Sequence, residues 1–115
     1  MTPLEAAALL GAPNFPDGWD FTEIHRCGEL AGFICTQGAE IHCFRIDSYK
    51  GAWMPRQELE RITRPILEKF GHLSTKVRTE NFQGHLFVKR LGFRQIGHDE
   101  TSIHYKAERL KHARL

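Results

Sequence analysis

The apolar residues of this chain change their period once, and that change limits the fold more than any other feature. Three short strand-like runs come first: Phe21 to Arg26, Leu30 to Thr36 and Ala39 to Ile46. Only the turn residues Cys27-Gly28-Glu29 and Gln37-Gly38 separate them. Runs joined this tightly pair as an antiparallel meander. In the third run Ile41 and Cys43 alternate with His42 and Phe44, the period of a strand with two unlike faces. From Pro55 to Phe70 the period becomes helical, with Leu59, Ile62, Ile66, Leu67 and Phe70 on one face. Pro55 suits the first turn of that helix, where its missing N–H costs nothing. Gly71 suits its end. Pro65, inside the pattern, predicts a kink or a weakened turn.

The rest of the chain returns to short elements. Ser74 to Glu80 reads as a strand with Val77 inward, and Asn81 as the N-cap of a second helix, Phe82 to Arg90. Leu91-Gly92-Phe93 ends that helix. Phe93 to Gly97 and Thr101 to Lys106 read as two final strands around the turn His98-Asp99-Glu100. Ahead of the meander, Pro3 to Leu10 predicts a short Ala-rich helix, and Gly11 to Gly18 a loop dense in Pro, Gly, Asn and Asp. The basic tail, residues 107–115, is expected to fray. Strand, helix and strand appended to a meander imply an α/β domain with a mixed, mostly antiparallel sheet flanked by helices. At 115 residues the chain is read as one domain, 1–115. Leu, Ile, Val and Phe supply 29 of those residues, enough for a real core, though a small one.

Several classes are excluded by expectation. No run approaches the ~20 apolar residues that cross a bilayer. Met1 to Leu10 carries Glu5 and no Lys or Arg, so no secretory signal is expected. With three cysteines, an odd number, this points to a reducing, cytoplasmic setting. A formal charge of +2 obliges no nucleic-acid partner. The basic end, Lys106, Arg109, Lys111 and Arg114, lacks the aromatic residues that stack bases. Cys27, Cys35, Cys43, His25 and His42 fall on neighbouring runs, but their spacing matches no metal motif, and no metal is expected.

Four stretches resemble the GNAT superfamily of acetyl-CoA-dependent N-acetyltransferases, over about His25 to Ala107. Gly28-Glu29-Leu30-Ala31-Gly32-Phe33-Ile34 resembles its "GxLxGFI" hairpin, and Asp47-Ser48-Tyr49-Lys50-Gly51 its "PxYRG". Glu80-Asn81 resembles its "EN", and FVKRLGF, Phe87 to Phe93, its "LYEKLGF". The resemblance implies a single GNAT-like domain. It further implies acetyl-CoA as cofactor, Glu40 as general base, Lys50 and Gly51 facing the pyrophosphate, and Asn81 holding the pantetheine. Glu40 also reads as part of a solvent-facing polar edge with His42, and Asn81 as a plain helix cap.

Three departures bear on the chemistry that the resemblance implies. In the family, a glycine-bearing loop offers bare N–H groups to the pyrophosphate at a helix start. Aligning Lys50 with that loop's first residue places Trp53 and Pro55 where Gly or Ala is required. The tyrosine that protonates the leaving thiolate in many members is replaced by Val88. The segment before Phe21 is 20 residues, shorter than the strand and two helices usual there, so the domain reads as N-terminally shortened. Trp53 and Met54 read as a plug that refills the coenzyme site, or as an exposed contact for a partner. This degenerate pattern is similar to the small virion and morphogenesis proteins of tailed podophages, of the internal core protein A type. The expectation is a non-catalytic phage virion or assembly protein, with no cofactor, whose partners are other proteins of the particle. An active acyl-CoA-dependent N-acetyltransferase with an atypical loop is the alternative, and a coenzyme-sensing module is a third.

Overall fold

Positive backbone φ angles set the two tight turns of the meander. The computed structural model describes residues 18–46, 49 and 52–111. The N-terminal helix expected at Pro3 to Leu10 lies outside them, as do Lys50, Gly51 and residues 112–115. Strand β1, Asp20–Arg26, pairs antiparallel with β2, Glu29–Gln37, from Asp20 opposite Thr36 to Arg26 opposite Glu29. The two residues between them, Cys27 and Gly28, have φ of 54° and 80°. That pair of left-handed residues matches the twist of a two-residue hairpin. Gly38, φ 59°, and Ala39 then lead to β3, Glu40–Arg45. A link this short joins only antiparallel neighbours.

Helix α1, Arg56–Phe70, follows, then β4, Leu73–Arg78, α2, Phe82–Leu91, β5, Arg94–His98, and β6, Ser102–Ala107. The hydrogen-bonded order is β1-β2-β3-β4-β6-β5. The pairing of β3 with β4 is parallel, with Glu40 opposite Ser74, while β6 is antiparallel to both β4 and β5. This is the mixed, mostly antiparallel α/β sheet expected. No helix of the described residues is long and apolar enough to cross a membrane.

The described residues fall into two compact units, one of 18–37 and Ile41–Leu59, the other of Gly38–Glu40 and 60–111. In the first, β2 is buried on both faces, from Ala31 through Cys35. Ile24 and Ile34 share one face, and Phe33 lies on the other between Phe21 and Phe44, ring centroids 6.2 and 5.0 Å away.

In the second unit β4 alternates cleanly: Leu73, Thr75 and Val77 are buried, Lys76 and Arg78 exposed. Thr75 lies opposite Tyr105 and Leu73 opposite Ala107, so β4 and β6 turn one apolar face to the core. Helix α2 packs on that face with Val88 and Leu91 buried. The approach is close at Gly84, where a Cβ would stand 2.8 Å from Val77 Cγ1.

Helix α1 departs from expectation in two ways. It runs unbroken through Pro65, which is exposed. Its buried positions are Leu59 and Thr63, whereas Phe70, counted on the apolar face, is 42% exposed. The helix ends at Gly71, φ 77°, whose N–H donates to the Leu67 carbonyl at 2.8 Å. The tail differs too. Ala107 is buried within β6, and the Lys111 N–H donates to the Leu91 carbonyl at 2.8 Å. A carbonyl at a helix end lacks an intrahelical donor, and the returning chain supplies one.

Candidate functional site

The connection from β3 to α1 is where the resemblance places its chemistry. Tyr49 N–H closes a turn on the Ile46 carbonyl at 2.9 Å. Ala52 is exposed, Trp53 half-buried, and Met54 buried to 2%. The Trp53 ring lies on β2 at Gly32: a Cβ there would stand 2.6 and 2.7 Å from two of its ring carbons and would collide with the Phe44 carbonyl. Only a residue without a side chain leaves that space to an indole. Met54 is thus buried, while Trp53 packs its ring on β2 and keeps part of its surface in solvent.

Pro55 is the N-cap of α1, its carbonyl accepting the Leu59 N–H at 3.1 Å. A proline at this point offers no N–H of its own. The first turn of α1 carries the acidic Glu58. A carboxylate there satisfies the positive helix end and repels a polyanion. Trp53 committed to packing, Pro55 at the cap and Glu58 in the first turn do not fit a coenzyme pyrophosphate. Lys50 and Gly51, the residues expected to face it, lie outside the described residues.

Glu40 and Asn81 are set apart by β4. Glu40 is half-buried at the start of β3, opposite Ser74 near the beginning of β4. Asn81 follows the far end of that strand, where its N–H donates to the Arg78 carbonyl at 2.9 Å. From Ser74 to Arg78 the strand rises about 13 Å. Asn81 caps α2 as its chemistry predicts, Oδ1 accepting the Gly84 N–H at 3.0 Å. Beside it, Arg78 Nε donates to Glu80 Oε1 at 2.8 Å and holds that carboxyl below its ordinary range. Val88, at the position of the family's tyrosine, is buried in the packing of α2.

A polar pair absent from the sequence reading lies under the same helix. The Tyr105 hydroxyl is 2.7 Å from His85 Nδ1, and His85 Nε2 is 3.2 Å from the Thr79 carbonyl. A carbonyl only accepts, so Nε2 carries a proton, and in the neutral ring Nδ1 accepts from Tyr105. Tyr105 is 1% exposed, and its burial pushes the phenol pKa up. The hydroxyl is thus held protonated as a donor.

Two further groups have shifted pKa values. Asp99 in the β5–β6 turn accepts from the Thr101 and Ser102 N–H groups on Oδ1, at 2.8 and 2.9 Å, and from His104 Nε2 on Oδ2 at 2.7 Å. His104 first, then the backbone donors, hold its carboxyl far below the ordinary range. Burial, with Cys35 second, pushes the Cys43 thiol up to about 12. Among the described residues no three His, Cys, Asp or Glu side chains gather as a metal site.

No family model and no curated protein matches this sequence. Among solved structures, the chain is similar to the PaiA N-acetyltransferase from Thermoplasma acidophilum in complex with coenzyme A, at a TM-score of 0.63 and 17% identity. The match covers 77% of this chain and 60% of that one. The fold is GNAT-like. At this identity the likeness is one of fold, and this chain spans about 60% of that protein's length.

Proposed function

We propose that this chain is a GNAT-like scaffold that carries out no acetyl transfer and serves as an assembly protein. Its proposed partners are other proteins of a phage particle, and its proposed place is the virion or the host cytoplasm. The phage assignment rests on the sequence resemblance alone. The absence of catalysis rests on the Trp53 ring seated on Gly32. An indole holding that position belongs to the packing of β2, and the proline after it withholds an N–H from the helix start. In this reading Trp53 has become packing on β2 and Pro55 a helix cap.

Acetyl-CoA titration by calorimetry, at millimolar ligand, tests this reading. The expected result is no saturable heat and no rise in melting temperature, since a ligand that binds only the folded state raises it by mass action. Saturable binding overturns it.

The alternative, an acyl-CoA-dependent N-acetyltransferase, is favoured by the structural likeness to an N-acetyltransferase in complex with coenzyme A. In that reading Glu40 is the base, Lys50 and Gly51 face the pyrophosphate and Asn81 holds the pantetheine. Binding with turnover on an amine acceptor establishes it. Binding without turnover establishes the coenzyme-sensing module.

A further inference from the structure

The solvent-facing side of α2 is out of keeping with an ordinary surface helix. Phe82, Gln83, Leu86, Lys89 and Arg90 form its exposed face, opposite the buried Val88 and Leu91. On that face Phe82 is 78% exposed and Leu86 52%. They stand one turn apart, at i and i+4, so their side chains form one continuous stripe. Lys89 and Arg90 continue the stripe a turn later, about 12 Å from Phe82 along the axis. The helix holds no acidic residue.

The returning tail enlarges the basic end. The Lys111 N–H is held on the Leu91 carbonyl, and the Lys111 side chain and the Arg109 carbonyl lie beside Gly92. Lys111 thereby joins Lys89 and Arg90 at the last turn of α2, with Arg109 two residues before it in the tail. Among the described residues none of these four pairs with a carboxylate, whereas Arg94 nearby is matched by Glu108 at 3.1 Å. Cations near a helix C-terminus are favourable in themselves. That accounts for Lys89 and Arg90 but not for two large apolar side chains in water beside them.

We propose that this face of α2, with residues 109–111, docks an acidic protein segment that carries apolar side chains. An aliphatic or aromatic pair on the partner covers Phe82 and Leu86, and its carboxylates meet the four cations. Apolar anchors bounded by charge are the usual anatomy of such contacts. The stripe offers only two large apolar side chains, too few for an interfacial membrane helix, whose whole apolar face enters the lipid. A bare polyanion leaves Phe82 and Leu86 uncovered. The inference stands on α2 and the tail, independently of whether coenzyme A binds.

The test is a display selection of random 16-residue peptides on the whole protein, with Phe82→Ser/Leu86→Ser as the counter-target. Both positions are exposed, so the variant is expected to keep the wild-type melting temperature. The expected winners are rich in Asp and Glu, carry paired apolar residues, and bind the variant about tenfold more weakly. They should also weaken about tenfold against Lys89→Glu/Arg90→Glu and as salt is raised. An empty selection, winners without acidic residues, or winners that bind the serine variant equally well overturn the proposal. So does tighter binding to phosphatidylserine vesicles, or to a 15-nucleotide single-stranded RNA, than to any selected peptide. If the serine variant melts lower, the single variant Phe82→Ser replaces it as counter-target.

Discussion

The indole of Trp53 occupies the space that a side chain on Gly32 would need, two of its ring carbons lying 2.6 and 2.7 Å from the missing Cβ. Gly32→Ala therefore forces either the ring or the strand to move. Overpacking of this kind costs about 1–3 kcal/mol. In a Trp53→Ala background the same substitution should cost less, with a coupling of at least about 0.5 kcal/mol. Part of the cost should remain, because the Phe44 carbonyl also crowds the site. Urea denaturation of the four proteins gives the coupling, and strict additivity would show that Trp53 swings away freely.

His85 and Tyr105, 20 residues apart, share one hydrogen bond at 2.7 Å beneath α2. Tyr105→Phe removes the donor and should destabilise by about 1 kcal/mol. His85→Leu leaves a buried hydroxyl without its acceptor, at a cost of about 1–3 kcal/mol. The double variant should cost less than the sum, because both polar partners are then gone. A double variant at least as unstable as the sum would mean that the pair contributes nothing as a pair.

These two relationships differ in how far the sequence announces them. The order of elements was legible, because each has a strong period and a local stop: Cys27-Gly28, Gly38, Gly71, Gly92. The Asn81 cap was legible for the same reason, since it needs only the residue three positions on. Trp53 stood out as a bulky departure, but its partner Gly32 is reached only through the fold. His85 and Tyr105 meet because the β4–β6 register and the seat of α2 bring them together, and neither gives a local signal. The buried side of α1 departs from its apolar pattern at the end, where Phe70 lies beyond the packed turns and Thr63 inside them. Lys111 on Leu91 is likewise a long-range closure that composition reads only as a basic tail.

The three thiols should separate by accessibility. Cys27 is exposed in the β1–β2 turn, Cys35 is buried, and Cys43 is half-buried, its thiol pushed up to about 12 by desolvation. The thiolate is the reactive form. At pH 8 an aromatic disulfide reagent should release about one equivalent quickly from the native protein, and the Cys27→Ser variant should lose that phase. In denaturant all three should react. Two fast equivalents in the native state would place Cys43 in solvent.

Asp99 should make the β5–β6 hairpin sensitive to acid. Its carboxyl is held far below the ordinary range, first by His104 and then by the Thr101 and Ser102 N–H groups. In the unfolded chain the same carboxyl titrates near about 3.9. Between those two values the unfolded state holds the proton and the folded state does not. The contribution to stability is therefore complete above about pH 5, and is lost as pH falls through about 4 toward the folded value. Asp99→Asn removes the charge and keeps the shape, so this part of the acid response should vanish. At pH 7 the variant should melt below the wild type, and the difference should shrink steadily between pH 5 and 2. Melting curves across that range decide it. A difference that stays constant would mean that the carboxylate's hydrogen bonds hold the turn by shape alone, without any preference for the ionised form.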